Sequence, residues 1–410
     1  MKKIKNIFLL LTFCFLAFLL LEFSVRGLCH SRYGVKFCFF NFPGHGLGKH
    51  FWINGWNEHF GVWHRPYTSL REVRSCFDVT YTTNAYGARD KERTQNRAAN
   101  DEKNRHNRVI VLGDSWIEGL GVKQDETIPS FLEGITGVEH LNFGIGGFNS
   151  PLQALLRYIH LAKKFDHDTV MLEILPFNDF DDMDLNIGKF LHTNRYRPYL
   201  VGAYPDKKIE YFNKKPDSLE APAWWGEPAL NWVLSNSYLA RMVEYALQQI
   251  NTKNKSDKAR SDDGRRSLYE KFSRYQSFSE EEFLGLQWVL EKFVEEAKTK
   301  TLVLLTFPTL QDFRVYSGQS AGHTPLSDRL RLFVEGLKDA RVIYIDLLEL
   351  LKKFESKPES FFQMCDGHMN AYGNKLASEF IFQELKGKIY ENRPALTKGP
   401  EVPGRKGIKR

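Results

Sequence analysis

From Val109 onward, short, mostly apolar runs alternate with longer stretches whose apolar residues recur at helical spacing. The runs predict strands over Val109–Leu112, Val138–Asn142, Thr169–Leu175, Thr301–Phe307 and Val342–Ile345. The stretches predict helices over Thr127–Ile135, Pro151–Lys164, Glu280–Lys298, Ser327–Leu337 and Ala371–Lys388. The second helix opens on proline and sets Leu152, Leu155, Leu156 and Ile159 at helical spacing. Buried strands joined by helices imply a parallel sheet covered on both faces, an α/β architecture. The rhythm breaks between Asp184 and Ser279. Within this insertion (about 185–279), Pro198–Phe212 suits a hairpin, Asn236–Ile250 an amphipathic helix, and Asn251–Arg266 a solvated loop. Such an insertion is expected to act as a lid.

The chain before Val109 sets the compartment. Lys2, Lys3 and Lys5 precede a fifteen-residue, largely apolar run, Ile7–Leu21, which Glu22 interrupts and Arg26 closes. A spanning helix needs roughly 20 residues. Extension through Phe23 and Val25 reaches that length with Glu22 at the interface. Three readings stand: an uncleaved anchor through residues 7–25, a cleaved secretory signal, or a soluble chain with a buried N-terminal helix. The flanking lysines favour a cytoplasmic N-terminus and an outward-facing remainder. Residues 27–107 form an extension, with an aromatic, glycine-rich stretch from Phe37 to Tyr86 and a strand opening Asp78–Asp90. Residues 91–107 are charged and predict a structureless linker, and 391–410 a disordered basic tail. The net charge of +7 is concentrated at the ends. Lys2, Lys3 and Lys5, with the residues from Arg393 onward, exceed it, so the body is slightly acidic and lacks a nucleic-acid footprint. Of five cysteines, Cys14 lies in the apolar run. Cys29, Cys38, Cys76 and Cys365 allow two disulfides in three pairings, or four free thiols. None has zinc spacing.

In a parallel α/β sheet, ligands bind outside the carboxyl ends of the strands. The residues there are Gly113-Asp114-Ser115-Trp116, Gly144-Ile145-Gly146-Gly147 and Pro176-Phe177-Asn178-Asp179, with Asp366-Gly367-His368-Met369-Asn370 before the last helix. Each alone suits a cap, a turn or a structural histidine; the four together are a stronger signal. A serine hydroxyl needs a base, His368 can be that base, and a carboxylate can orient it. A tetrahedral oxyanion needs preorganised donors, which the N–H groups of Ser115 and Gly147 and the Asn178 amide can supply.

These four blocks resemble those of the SGNH (GDSL-type) hydrolase superfamily. Ser115 matches its nucleophile, Gly147 in NFGIGGFNS its glycine, Asn178 in LPFNDF its asparagine, and Asp366 and His368 its last block. GDSWIEGLGVKQDETIPSFLE further resembles a branch of large, often exported, bacterial members. The resemblance covers about 109–180 and 280–390, and Asp78–Asp90 more loosely. It implies a flavodoxin-like three-layer sandwich, ester hydrolysis and no cofactor. Two departures stand out. The usual D-x-x-H would place Asp at 365, where this chain has cysteine, and Trp116 replaces the consensus leucine. Trp116 suits core packing or a stacking surface for a sugar or acyl group.

Asp179, Asp181, Asp182 and Asp184 crowd one loop; without an EF-hand pattern they predict a solvated acidic rim and no metal site. Asp125-Glu126 predicts a helix cap. Trp224-Trp225 suits burial or a glycan or lipid platform. The combined reading is an extracytoplasmic serine esterase anchored in a bacterial inner membrane, its domain in the periplasm, or secreted after signal cleavage. Its expected substrate is a small ester or an O-acyl group, such as O-acetyl, on an envelope glycan. Acyl transfer onto such a glycan uses the same residues. A catalytically weak glycan-binding scaffold is the third reading, favoured by the displaced Asp366.

Overall fold

The computed structural model describes residues 2–30, 55–73, 76–97, 108–147, 149–191, 196–212, 233, 237–240, 242–243, 273–316, 324–349 and 358–390. Helix α1 (Lys2–His30) comes first and contains Phe8–Leu28, with a mean hydropathy of 2.5. By length and composition this window can cross a membrane. Phe8, Phe13, Leu20 and Phe23 face outward, exposed. Glu22 is nevertheless buried, and accepts hydrogen bonds from Ser237 Oγ and from the N–H groups of Tyr238 and Leu239 at 2.8–2.9 Å. The charge inside the apolar helix thus caps a segment of the insertion, as a carboxylate does at any helix start.

The extension contributes two antiparallel pairs. Strands β1 (Gly55–Asn57) and β2 (Gly61–Trp63) form one; β3 (Ser69–Val73) and β4 (Asp78–Thr82) form the other. The run predicted as linker is docked where it is described. Arg93 is buried and ion-pairs with Asp90, Glu133 and Glu139, and Arg97 pairs with Asp168. Its charges mark ion-pair partners instead of solvation; residues 98–107 lie outside the described residues.

The core is a five-stranded, all-parallel sheet. Its strands are β5 (Val109–Gly113), β6 (His140–Gly144), β7 (Thr169–Ile174), then, beyond the insertion, Thr301–Thr306 and Val342–Asp346. The insertion's two strands, β8 (Arg197–Val201) and β9 (Lys208–Phe212), pair as the expected hairpin, so the last two core strands are β10 and β11. Spatial order is β11-β10-β7-β5-β6, the doubly wound order in which direction reverses between the first and third strands. Helices follow each strand: α2 (Ser115–Glu118), α3 (Ile128–Thr136), α4 (Pro151–His160), α5 (Pro176–Met183), α6 (Leu185–Leu191), α7 (Glu280–Glu296), α8 (Leu310–Tyr316), α9 (Pro325–Leu337) and α10 (Ala371–Leu385). This is the expected three-layer, flavodoxin-like sandwich.

Local differences have local causes. Strand β6 starts at His140, because Gly137 ends α3 in the left-handed region (φ 69°) and the next residues lead back to the sheet. Thr127 caps α3 through Ser130 N–H, while Glu126 caps the short turn before it by accepting Lys123 N–H at 3.0 Å. The acidic stretch is helical in α5, not a solvated rim. Asp179 and Asp182 are buried, and Asp179 Oδ2 accepts Leu175 N–H at 2.6 Å. Acids suit a helix's first turn, where the peptide dipoles leave positive charge. The β8–β9 hairpin is fixed to the core by fully buried Arg197, which donates to Gln153 Oε1 and Asp182 O and faces the Asp182 carboxylate. Most of Asn236–Ile250, all of Asn251–Arg266, Trp224-Trp225, Cys38 and 391–410 lie outside the described residues.

Candidate active site

The switch point between β5 and β7 gathers the four blocks. Strand β5 ends at Gly113, Asp114 caps α2 by accepting Trp116 N–H at 2.9 Å, and Ser115 is the first helical residue. Ser115 Oγ lies 2.7 Å from His368 Nε2. Asp366 Oδ1 meets His368 Nδ1 and also accepts the His368 backbone N–H at 3.3 Å. The Asp at two residues before the histidine reaches the ring because residues 363–368 form a tight turn. Gly367 N–H donates to Gln363 O, and Gln363 N–H to His368 O, both at 2.7 Å. Gly367 closes that turn at φ 91°, in the left-handed region. The displacement that favoured a non-enzymatic reading therefore costs the imidazole nothing in contact.

Cys365, directly before Asp366, forms a disulfide with Cys76 of the extension, Cα–Cα 5.7 Å. Trp116 is only 5% exposed and packs edge-on against Phe307 and Phe362, with its ring centroid 5.4 Å from that of His368. It is a core wall behind the imidazole, with no face left for a ligand to stack on.

Gly147 follows β6 at φ 84°. The turn runs close beside Ser115: a Cβ on Gly146 would lie 3.4 Å from that of Ser115. Gly144 is required by proximity, since a Cβ there would meet the backbone N of Glu118 at 2.2 Å. Asn178 sits in the first turn of α5. Its Nδ2 donates to Asp182 Oδ2 at 3.0 Å and to Asp114 Oδ2 at 3.3 Å, while its Oδ1 is buried without a partner. Both amide hydrogens are therefore directed at carboxyl groups, the second weakly.

Three buried acids lie behind Ser115, and the sequence signal for them was thin. Glu173 is the one charged residue of the β7 run, and its Oε2 accepts Asp114 N–H at 2.7 Å. Its other oxygen is buried without a partner. Burial, with Asp114 nearby, pushes Glu173 well above the usual carboxyl range. Burial likewise raises Asp114, against the Trp116 N–H and the His368 charge, and raises Asp179 well above its usual value. Arg157 ties the strand end to the glycine turn, donating to Gly113 O and Asn149 Oδ1 at 2.9 Å. Burial pushes its guanidinium down to about 9. Among the described residues, no group of three or more His, Cys, Asp or Glu is arranged to hold a metal.

The raised acids give a signed pH dependence. The unfolded chain ionises Glu173 near 4.5 while the folded chain keeps its proton, so the folded state binds more protons above that pH and stability falls as pH rises. Glu173→Gln mimics the neutral acid, accepting from Asp114 N–H without ionising. Denaturant titrations from pH 4.5 upward should show a shallower loss of stability in E173Q than in the parent. Parallel curves for the two would count against a neutral Glu173.

No protein-family model matches the chain, and no curated protein does. Solved structures with a related arrangement include a lipase/acylhydrolase from Enterococcus faecalis, 14% identical over 70% of this chain and 100% of that one, TM-score 0.35. A member of the lipolytic protein G-D-S-L family from Veillonella parvula is 13% identical over 68% of this chain and 98% of its own, TM-score 0.34. An acetyl xylan esterase from Butyrivibrio proteoclasticus is 8% identical over 69% of this chain and 64% of its own, TM-score 0.30. Values of this size carry no argument about activity or substrate. On its own sheet order, on the chain order of Ser115, Gly147, Asn178 and Asp366/His368, and on the contact of Ser115 with His368, the chain is similar to the SGNH (GDSL-type) hydrolases.

Proposed function

We propose that this chain is a serine esterase of the SGNH type, and that it works outside the cytoplasm, held to the membrane by α1. The observation that supports it best is the 2.7 Å contact between Ser115 Oγ and His368 Nε2, with Asp366 on the opposite ring nitrogen. That arrangement leaves Nε2 to accept a proton and Nδ1 to donate one to the carboxylate. Ser115 Oγ attacks the ester carbonyl carbon as its proton passes to Nε2. The tetrahedral oxyanion collapses, the alcohol oxygen takes the proton from Nε2, and an acyl-serine remains. Water then attacks, giving its proton to Nε2, and the acid leaves as Oγ recovers a hydrogen. No cofactor enters.

The N–H groups of Ser115 and Gly147 are the proposed oxyanion donors, with Asn178 Nδ2 as the third. Asn178 would turn its weaker hydrogen bond from Asp114 to the oxyanion. At 3.3 Å that hydrogen bond is long, which makes the exchange easier.

The Cys76–Cys365 disulfide favours an oxidising compartment, and the lysines before the apolar helix favour an outward-facing domain. Within that compartment the proposed substrate is an O-acyl, such as O-acetyl, ester of an envelope glycan. The test is to incubate the full chain with an O-acetylated polysaccharide and follow free acetate. Release that depends on Ser115 supports the reading. Acetate moving to an added unacetylated glycan would assign acyl transfer instead, and no reaction on any short-chain ester would overturn the esterase reading.

A further inference from the structure

Behind the Gly147 turn lies a buried pair that the four blocks do not account for. Glu118, the last residue of α2, is 3% exposed, and its carboxylate accepts the N–H of Gly146. Its Oε1 lies 3.1 Å from Nε2 of His64, which is 1% exposed. The other ring nitrogen of His64 is 2.9 Å from the Gly87 carbonyl oxygen. A carbonyl only accepts, so Nδ1 carries a hydrogen. A bare ring nitrogen and a carboxylate oxygen both only accept, so the contact between Nε2 and Oε1 calls for a hydrogen between them. Removing one partner would strip the other of a hydrogen bond inside the core.

The contacts form a continuous path from Gly87 O through His64 and Glu118 to Gly146 N–H. His64 and Gly87 belong to the extension, Glu118 to the helix that Ser115 opens, and Gly146 to the turn beside that serine. The same extension holds the far end of α2. Arg89, fully buried, donates to the carbonyls of Glu118, Gly119 and Val122. Tyr81 Oη accepts Gly121 N–H at 2.8 Å.

We infer that His64 and Glu118 are positioning residues for the proposed ester chemistry: they anchor the Gly146 amide so that the next amide, that of Gly147, is held toward the oxyanion. The inference rests on the esterase reading and goes beyond it by making the N-terminal extension part of the site. The physical need is plain. An oxyanion donor acts only if it is fixed before charge develops. A turn containing two adjacent glycines has the largest backbone freedom to lose. An acceptor clamped by a histidine from another segment removes that freedom.

The test compares Glu118→Met with Glu118→Gln in the full chain. Methionine has similar bulk and cannot accept the Gly146 hydrogen bond at normal strength. Glutamine keeps an accepting oxygen for Gly146 and an N–H for a His64 Nε2 that lacks hydrogen. With p-nitrophenyl acetate, E118M is expected to lose about 10²-fold in kcat, the size of a lost oxyanion donor, with KM little changed. E118Q should recover most of that loss. Hydrogen exchange over 144–147 should be slow in the parent and in E118Q and fast in E118M, a readout independent of turnover. Fast exchange in the parent overturns the inference even if E118M fails to fold. Parental kcat in E118M, or an E118Q as impaired as E118M, overturns it while leaving the esterase reading intact. A parent chain that neither labels with a fluorophosphonate nor turns over overturns the esterase reading, and the positioning role falls with it.

Discussion

Ser115→Ala should reduce ester turnover by roughly 10⁴–10⁶-fold, the range found when members of a serine–histidine–aspartate site are removed. Fluorophosphonate labelling should vanish with it. The hydroxyl is the only atom lost, and the 2.7 Å contact to His368 is the path by which its proton leaves. His368→Ala should cost nearly as much, and the double variant little more than either single one, because the two groups act as one unit. Thermal unfolding of S115A should match the parent, since the hydroxyl fills no core position. Residual turnover within tenfold of the parent in S115A would reject Ser115 as the nucleophile. A double variant whose losses multiply would mean that Ser115 and His368 act separately.

The second large effect concerns the Cys76–Cys365 disulfide. It joins positions 289 residues apart in sequence. Replacing both cysteines by serine should lower the unfolding free energy by about 4 kcal/mol, the upper end of what a disulfide usually contributes. Cys365 adjoins Asp366, so the bridge also holds the turn that presents the histidine. Activity should fall less steeply than stability, because the turn has other ties. Gln363 Nε2 donates to Leu120 O at 2.9 Å and to Met369 O at 3.2 Å. Each single Cys→Ser variant should match the double one, since either alone breaks the bond. Denaturant titration with and without reductant measures this directly. Coincident curves would deny the bridge any structural weight.

Much of the fold was legible because strands and helices announce themselves within a few residues. Val109–Gly113 and Thr301–Thr306 are apolar on both faces, which only a covered parallel sheet accommodates. The helix Pro176–Met183 was missed because its acids resemble a loop in composition. Asp182 is matched by Arg197, 15 residues on, and Asp181 by Arg274, 93 residues on. Arg93 was misplaced for the same reason: a charged residue looks solvated until its distant carboxylates are known.

The site divides along the same line. Ser115, Gly147, Asn178 and His368 were readable because each follows a strand or precedes a helix, and the carboxyl ends of a parallel sheet share one edge. Sequence alone therefore determined the sheet, its layers and the edge where the chemistry lies. Tertiary structure alone decided which cysteine pairs with Cys365, that Asp366 reaches the ring from two residues away, that the Asn178 amide is engaged by two carboxyl groups, and that His64 meets Glu118. Periodicity and turn chemistry act over a handful of neighbouring residues. A hydrogen bond between residues tens to hundreds of positions apart exists only once packing has brought both groups together and removed the water from between them.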